Sequence, residues 1–143
     1  MTLSLDEATA ILTPDARWVA EKFAAYGYTD ILDTRVVVTE EADMGDRRMA
    51  FTTYPDGNTV ALAPRLAEQR EATRRAILAH EFGHVVDFHR GGRDRPAHAR
   101  ELRADEYAER ATGRDITYDG PNQLQTFCGQ GARPRPMSLD KNR

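Results

Sequence analysis

The sequence predicts a single α+β domain. Three short β-branched or alternating runs, RVVVT (35–39), RMAFTTY (48–54) and NTVALA (58–63), cluster mid-chain, with stretches of helical apolar spacing on either side. At 143 residues and 40% hydrophobic side chains, the chain can bury one core and is too short for two ordinary domains.

Taken in order, Ser4 and Glu7 have capping-box spacing, which predicts a short first helix over LDEATAIL. Thr13 before Pro14 predicts a second start, with Thr13 as N-cap and Pro14 at the first helical position. Trp18, Val19, Phe23 and Tyr26 give that helix an apolar stripe, and Gly27 can end it. Pro55, Asp56, Gly57 and Asn58 have tight-turn chemistry, so the second and third runs should form a hairpin, with RVVVT as the third strand. Residues 65–90 contain no proline and read as one long helix. Gly91, Gly92 and Pro96 break it, a further helix runs from about Ala97 to Ala111, and Gly113 can cap its end. From Thr117 the signal fades, so the domain is read as 1–116 and 117–143 as a partly irregular C-terminal extension.

Composition narrows the function. The net charge of -3 comes from 23 acids and 20 bases spread along the chain, without a basic block, so nucleic acid is not an expected partner. The one cysteine, Cys128, excludes an intrachain disulfide and a Cys-based zinc finger, so any metal must be held by His and carboxylates. MTLSLDEATAIL has no basic start or long apolar run, and no segment approaches the roughly 20 apolar residues of a membrane span. The cytoplasm is the expected location, with no membrane partner.

The chemistry gathers in AILAHEFGHVVDFH (76–89). At about 100° per residue, His80 and His84 lie within about 40° of each other one turn apart, and two imidazole nitrogens can face one ion. Leu78, Phe82, Val85 and Val86 gather on roughly the opposite side as a packing face, and His89 falls about 180° from His80, a poor position for a third ligand. In ELRADEYAERATG (101–113), Glu101 and Asp105 are also four apart, among the small residues Ala97, Ala104, Ala108, Ala111 and Thr112, which permit close approach of two helices. Arg103, Glu106 and Arg110 take the opposite, solvated side.

In an antiparallel hairpin, the distances of His84 and Glu101 from the connecting loop bring them to nearly the same level. Glu101 is thus the expected third ligand, and Asp105 can accept a hydrogen bond from the far ring nitrogen of a ligating histidine. His98 is the alternative third ligand. Two histidines and a glutamate leave a tetrahedral ion one open position, the mark of a catalytic site. Zinc there would lower the pKa of a bound water to about 7 and polarise a carbonyl, with Glu81 as general base, which points to peptide-bond hydrolysis. Gly83, costing about 1 kcal/mol relative to alanine in a helix, is tolerable if something must pack closely there.

HEFGH at 80–84 followed by ELRAD at 101–105 resembles the gluzincin metallopeptidases, whose pattern is H-E-x-x-H with a downstream E-x-x-x-D. The resemblance assigns zinc to His80, His84 and Glu101, the general base to Glu81 and support of the ligands to Asp105. It implies a minimal zincin-like fold: N-terminal helix, small three-stranded sheet, active-site helix and glutamate-bearing helix. The chain is similar to small ImmA/IrrE-type peptidases, and ELRADEYA equally to the E-x-x-A-D segment of HtpX-like enzymes. It does not resemble a metzincin, which needs Gly and His where this chain has Asp87 and Arg90.

The resemblance further implies a protein or peptide substrate beside an edge strand, for which NTVALA and RVVVT are the expected positions. It also calls for an oxyanion donor, with Tyr118, His98 and Tyr107 as the residues of suitable type. Cys128 is read as an uninvolved thiol, the sharper alternative being a thiolate that occupies the open metal position and holds the enzyme latent. The competing function is a metal-stabilised binding or regulatory module without catalysis, and Glu81 separates the two because a structural site needs the ligands but no base.

Overall fold

A computed structural model describes residues 3–40, 49–52 and 58–114. The expected turn at 55–57, the boundary after residue 116, the extension 117–143, Tyr118 and Cys128 lie outside the described residues. The α+β class holds: among the described residues, three α-helices pack with a small mixed sheet of three strands.

The first helix, α1, runs unbroken over Leu5–Tyr26, so the two starts read from the sequence merge into one. The Ser4 capping box forms as expected: the Glu7 amide donates to Ser4 Oγ at 3.1 Å and the Ser4 amide to Glu7 Oε1 at 2.9 Å. Thr13 is not a cap; its hydroxyl donates back to the Thr9 carbonyl at 2.7 Å, inside the helix. Packing overrides the proline signal. Ala8, Leu12, Asp15, Val19 and Phe23 form one buried stripe through Pro14, which sits on the exposed side where its ring and missing N–H are tolerated. The stripe also differs from the expected one, because Tyr26 is 53% exposed and Asp15 is buried. Gly27, at φ 111°, closes the helix.

The strands are β1 (Arg35–Val38), β2 (Ala50–Thr52) and β3 (Thr59–Leu62). The order is β1-β3-β2, with β1 parallel and β2 antiparallel to β3; Thr52 lies opposite Val60. The expected pairing of the second and third runs is therefore present. NTVALA is the central strand, however, and both its edges are paired, so it has no free edge for a peptide. Alternation sends Val36, Val38, Ala50, Val60 and Leu62 toward the helices, and Val37, Phe51, Ala61 and Ala63 to the other face.

The single long helix expected over 65–90 is two elements. Pro64–Glu68 forms a 3-10 turn that buries Leu66 and Ala67, Gln69 and Arg70 are extended, and α2 begins only at Glu71 and runs to His89. Burial of Leu66 and Ala67 holds the chain in a direction α2 does not continue, and helix period alone could not reveal that turn. From Ile77 to Asp87 every residue of α2 is buried, because α1 and the sheet cover one side and α3 (Ala97–Thr112) the other. Gly91 at φ 96° and a short 3-10 turn over Gly92–Asp94 reverse the chain, and Gly113 at φ 71° ends α3. Arg95 Nε donates to the fully buried Asp87 at 2.9 Å, fastening the turn to α2.

An apolar groove of about 510 Å³ separates α1 from β1, floored by Leu12, Ile31, Leu62 and Phe82. None of its lining residues is a proposed metal ligand. Among the described residues no helix is long and apolar enough to cross a membrane.

Candidate metal centre

The α2–α3 hairpin brings His80, His84, Glu101 and Asp105 together, all within the buried interior. Glu101 straddles the two imidazoles, with Oε1 at 2.9 Å from His80 Nε2 and Oε2 at 3.1 Å from His84 Nε2. The two Nε2 atoms are 3.1 Å apart. Donors held about 2.0–2.2 Å from one tetrahedral ion stand about 3.3 Å from each other, so this triangle needs only a small expansion to take one. Among the described residues, His80, His84 and Glu101 form a group whose ligand atoms lie close enough to share an ion.

Asp105 fixes how His80 presents itself. His80 Nδ1 lies 2.7 Å from Asp105 Oδ1, where it donates, and this turns Nε2 toward Glu101 and His84. Burial alone would lower the His80 pKa, but the charges of Asp105 and Glu101 and their hydrogen bonds outweigh it and push the value up to about 10. Burial would likewise raise the Glu101 pKa, and the attraction of His80 with hydrogen bonds from both histidines instead holds it far below the ordinary carboxylate range. Two buried carboxylates facing two imidazoles thus make a pocket that favours positive charge, which a proton on His80 or a divalent cation in its place can supply.

The close approach rests on Gly83. A Cβ there would stand 2.8 Å from the Ala104 carbonyl carbon and 2.9 Å from its Cα, inside the backbone of α3. The small residues Ala104, Ala108 and Ala111 are buried along this contact, while Ala97 is exposed before it begins.

Other sequence-level expectations find definite places. His89 points away, its Nε2 2.9 Å from Asn58 Oδ1 at the surface. His98 is exposed on the first turn of α3. Tyr107 is buried edge-on against Tyr28 at 5.3 Å, and its hydroxyl accepts from Arg103 at 3.2 Å.

Two residues escaped the sequence reading. Thr52 on β2 donates from Oγ1 to Glu81 Oε1 at 2.7 Å and lies 3.1 Å from the Glu81 carbonyl oxygen. The visible signal was a hydroxyl on the inward phase of a strand otherwise alternating Ala50 in and Phe51 out. Asp15, on the buried stripe of α1, takes Arg74 Nε at 2.6 Å and Arg75 Nε at 2.9 Å.

A family model described as the eCIS core domain matches residues 15–93, more than half of the chain. The chain belongs to the eCIS core domain family. The match runs from Asp15 of α1 through the sheet and the whole of α2, so His80, Glu81 and His84 lie inside it and Glu101 and Asp105 beyond it. Glu101 and Asp105 are thus supplied by a helix outside the matched stretch. Comparison with curated proteins and with solved structures finds no match.

Proposed function

We propose that the chain is a zinc-dependent metallopeptidase of zincin type that hydrolyses peptide bonds with Glu81 as general base. The observation that carries this reading is the convergence of His80 Nε2, His84 Nε2 and the Glu101 carboxylate within 3.1 Å, with the carboxylate of the next residue, Glu81, held by Thr52. When bound, zinc supplies Lewis acidity that lowers the pKa of a coordinated water to about 7 and polarises a carbonyl. Glu81 accepts the proton of the attacking water as the carbon–oxygen bond forms, and delivers it to the leaving amine as the carbon–nitrogen bond breaks. Asp105 keeps the proton on His80 Nδ1, so that Nε2 stays a donor to the metal.

Among the described residues, the sheet edge next to this chemistry is β2. It is an edge strand, it packs on α2, and Thr52 on it touches Glu81, so an extended peptide pairing along β2 would pass beside the base. RVVVT is also an edge, but it borders the apolar groove on the packing side of α2.

A second reading is a binding module in which the metal pins α2 to α3. It draws on burial: His80, His84 and Glu101 are 0%, 4% and 3% exposed, as in a closed structural site. Glu81→Gln separates the two. Under the peptidase reading, the variant keeps its zinc and fold and loses cleavage of a peptide pool by at least about 100-fold. Equal cleavage by the variant, or none by the zinc-loaded parent protein, decides for the binding module.

A further inference from the structure

We propose that Thr52 is a positioning residue for Glu81, tying the orientation of the general base to the strand beside the site; this rests on the hydrolytic reading above. Thr52 is anchored twice, by its backbone in the ladder with β3 opposite Val60 and by its buried inward-facing side chain. A β-branched side chain on a strand has few rotamers, so its hydroxyl is aimed by the backbone rather than by chance. That hydroxyl has one proton and two acceptors on the same residue. The shorter approach, 2.7 Å to Glu81 Oε1 against 3.1 Å to its carbonyl, is the charge-assisted one.

The consequence is mechanical. Glu81 projects from α2 with torsions of its own, yet its carboxylate is gripped from β2, so the base sits where the packing of sheet on helix puts it. A peptide pairing on the outer edge of β2 would then bear on the same three-residue strand that holds the base. Valine keeps the shape of threonine but donates nothing, whereas serine keeps the donor and loses only the methyl.

The test uses the full zinc-loaded chain as parent, Thr52→Val, Thr52→Ser and Glu81→Gln. Three quantities are measured: zinc per chain, the NMR shift of the Glu81 carboxyl carbon, and kcat and KM on a common peptide substrate. All four should hold zinc equally. Thr52→Val should displace the Glu81 carboxyl resonance and lower kcat by about 10- to 100-fold with KM nearly unchanged, and Thr52→Ser should recover both. An unmoved resonance, a parental kcat, or loss of zinc in Thr52→Val overturns the proposal. If Glu81→Gln cleaves as well as the parent, or the parent does not cleave, the hydrolytic reading falls and the positioning role with it. Loss of activity in Glu81→Gln beside an active Thr52→Val overturns the positioning role alone.

Discussion

Asp15 and the pair Glu101 and Asp105 are all buried carboxylates brought against α2, but they meet different partners there. Asp15 is matched by the guanidinium groups of Arg74 and Arg75, which are charged at every physiological pH, and Arg75 also reaches Glu71 at 3.3 Å and lies over Trp18 at 4.6 Å. That cluster is electrically complete within the protein. Glu101 and Asp105 face His80 and His84, whose rings, unlike a guanidinium, carry charge only when protonated, and the field there pulls His80 toward a positive state. Burial of charge is structural where the counter-charge is permanent. Where it is conditional, a bound cation can supply it.

The contrast can be broken most strongly at Glu101. Glu101→Ala should reduce bound metal from about one ion per chain to less than about a tenth, measured by elemental analysis after dialysis, while Asp15→Asn retains it in full. Equal metal in both variants would erase the distinction between the clusters.

The next largest effect falls on the other cluster. Asp15→Asn should cost about 2–3 kcal/mol in urea unfolding, because two partly buried arginines lose their charged acceptor. A change within error would mean that Arg74 and Arg75 reach solvent freely.

Gly83→Ala sharpens the comparison by moving the helices rather than the charges. The added methyl enters the Ala104 backbone, and it should destabilise by about 1–3 kcal/mol despite alanine's better helix propensity. It should also weaken metal binding, measured by titration with a chromogenic chelator, since α3 carries Glu101. Unchanged metal affinity would show that α3 adjusts without displacing Glu101.

The smallest effect belongs to a peripheral pair, Asp30 and Arg90, joined at 2.8 Å. The hydrogen bond from Arg90 lowers the Asp30 pKa and outweighs the opposing effect of burial. Its folded pKa lies below the unfolded one, so its stabilisation is present above the ordinary carboxylate value and disappears as pH falls through the folded pKa. Asp30→Asn should therefore narrow the stability difference from the parent between neutral pH and about pH 3, by less than about 1 kcal/mol. A difference that grows as pH falls would reverse the sign of this argument.

Much of the molecule was legible because its signals are local. The capping box at Ser4, the closures at Gly27 and Gly113, the β2–β3 pairing and the exclusion of His89 follow from torsional preferences and helical angle, which neighbouring residues set. The pairing of Glu101 with the two histidines was also readable, since a short connection between two antiparallel helices leaves little freedom in level. Less local features were misread for the same reason. Pro14 stops a helix in isolation but not one whose buried stripe continues on the opposite side, and the turn at Pro64–Glu68 depends on where Leu66 and Ala67 find a core.

By itself, then, the sequence determined the α+β class, the histidine face of α2 and the meeting of Glu101 with that face, because spacing along one helix or across one short hairpin fixes direction. Tertiary structure decided that NTVALA is central and β2 an edge, that Thr52 reaches Glu81, and that Asp15 is closed by Arg74 and Arg75. Those contacts join residues 29 to 60 positions apart, where only packing of whole elements sets the distance.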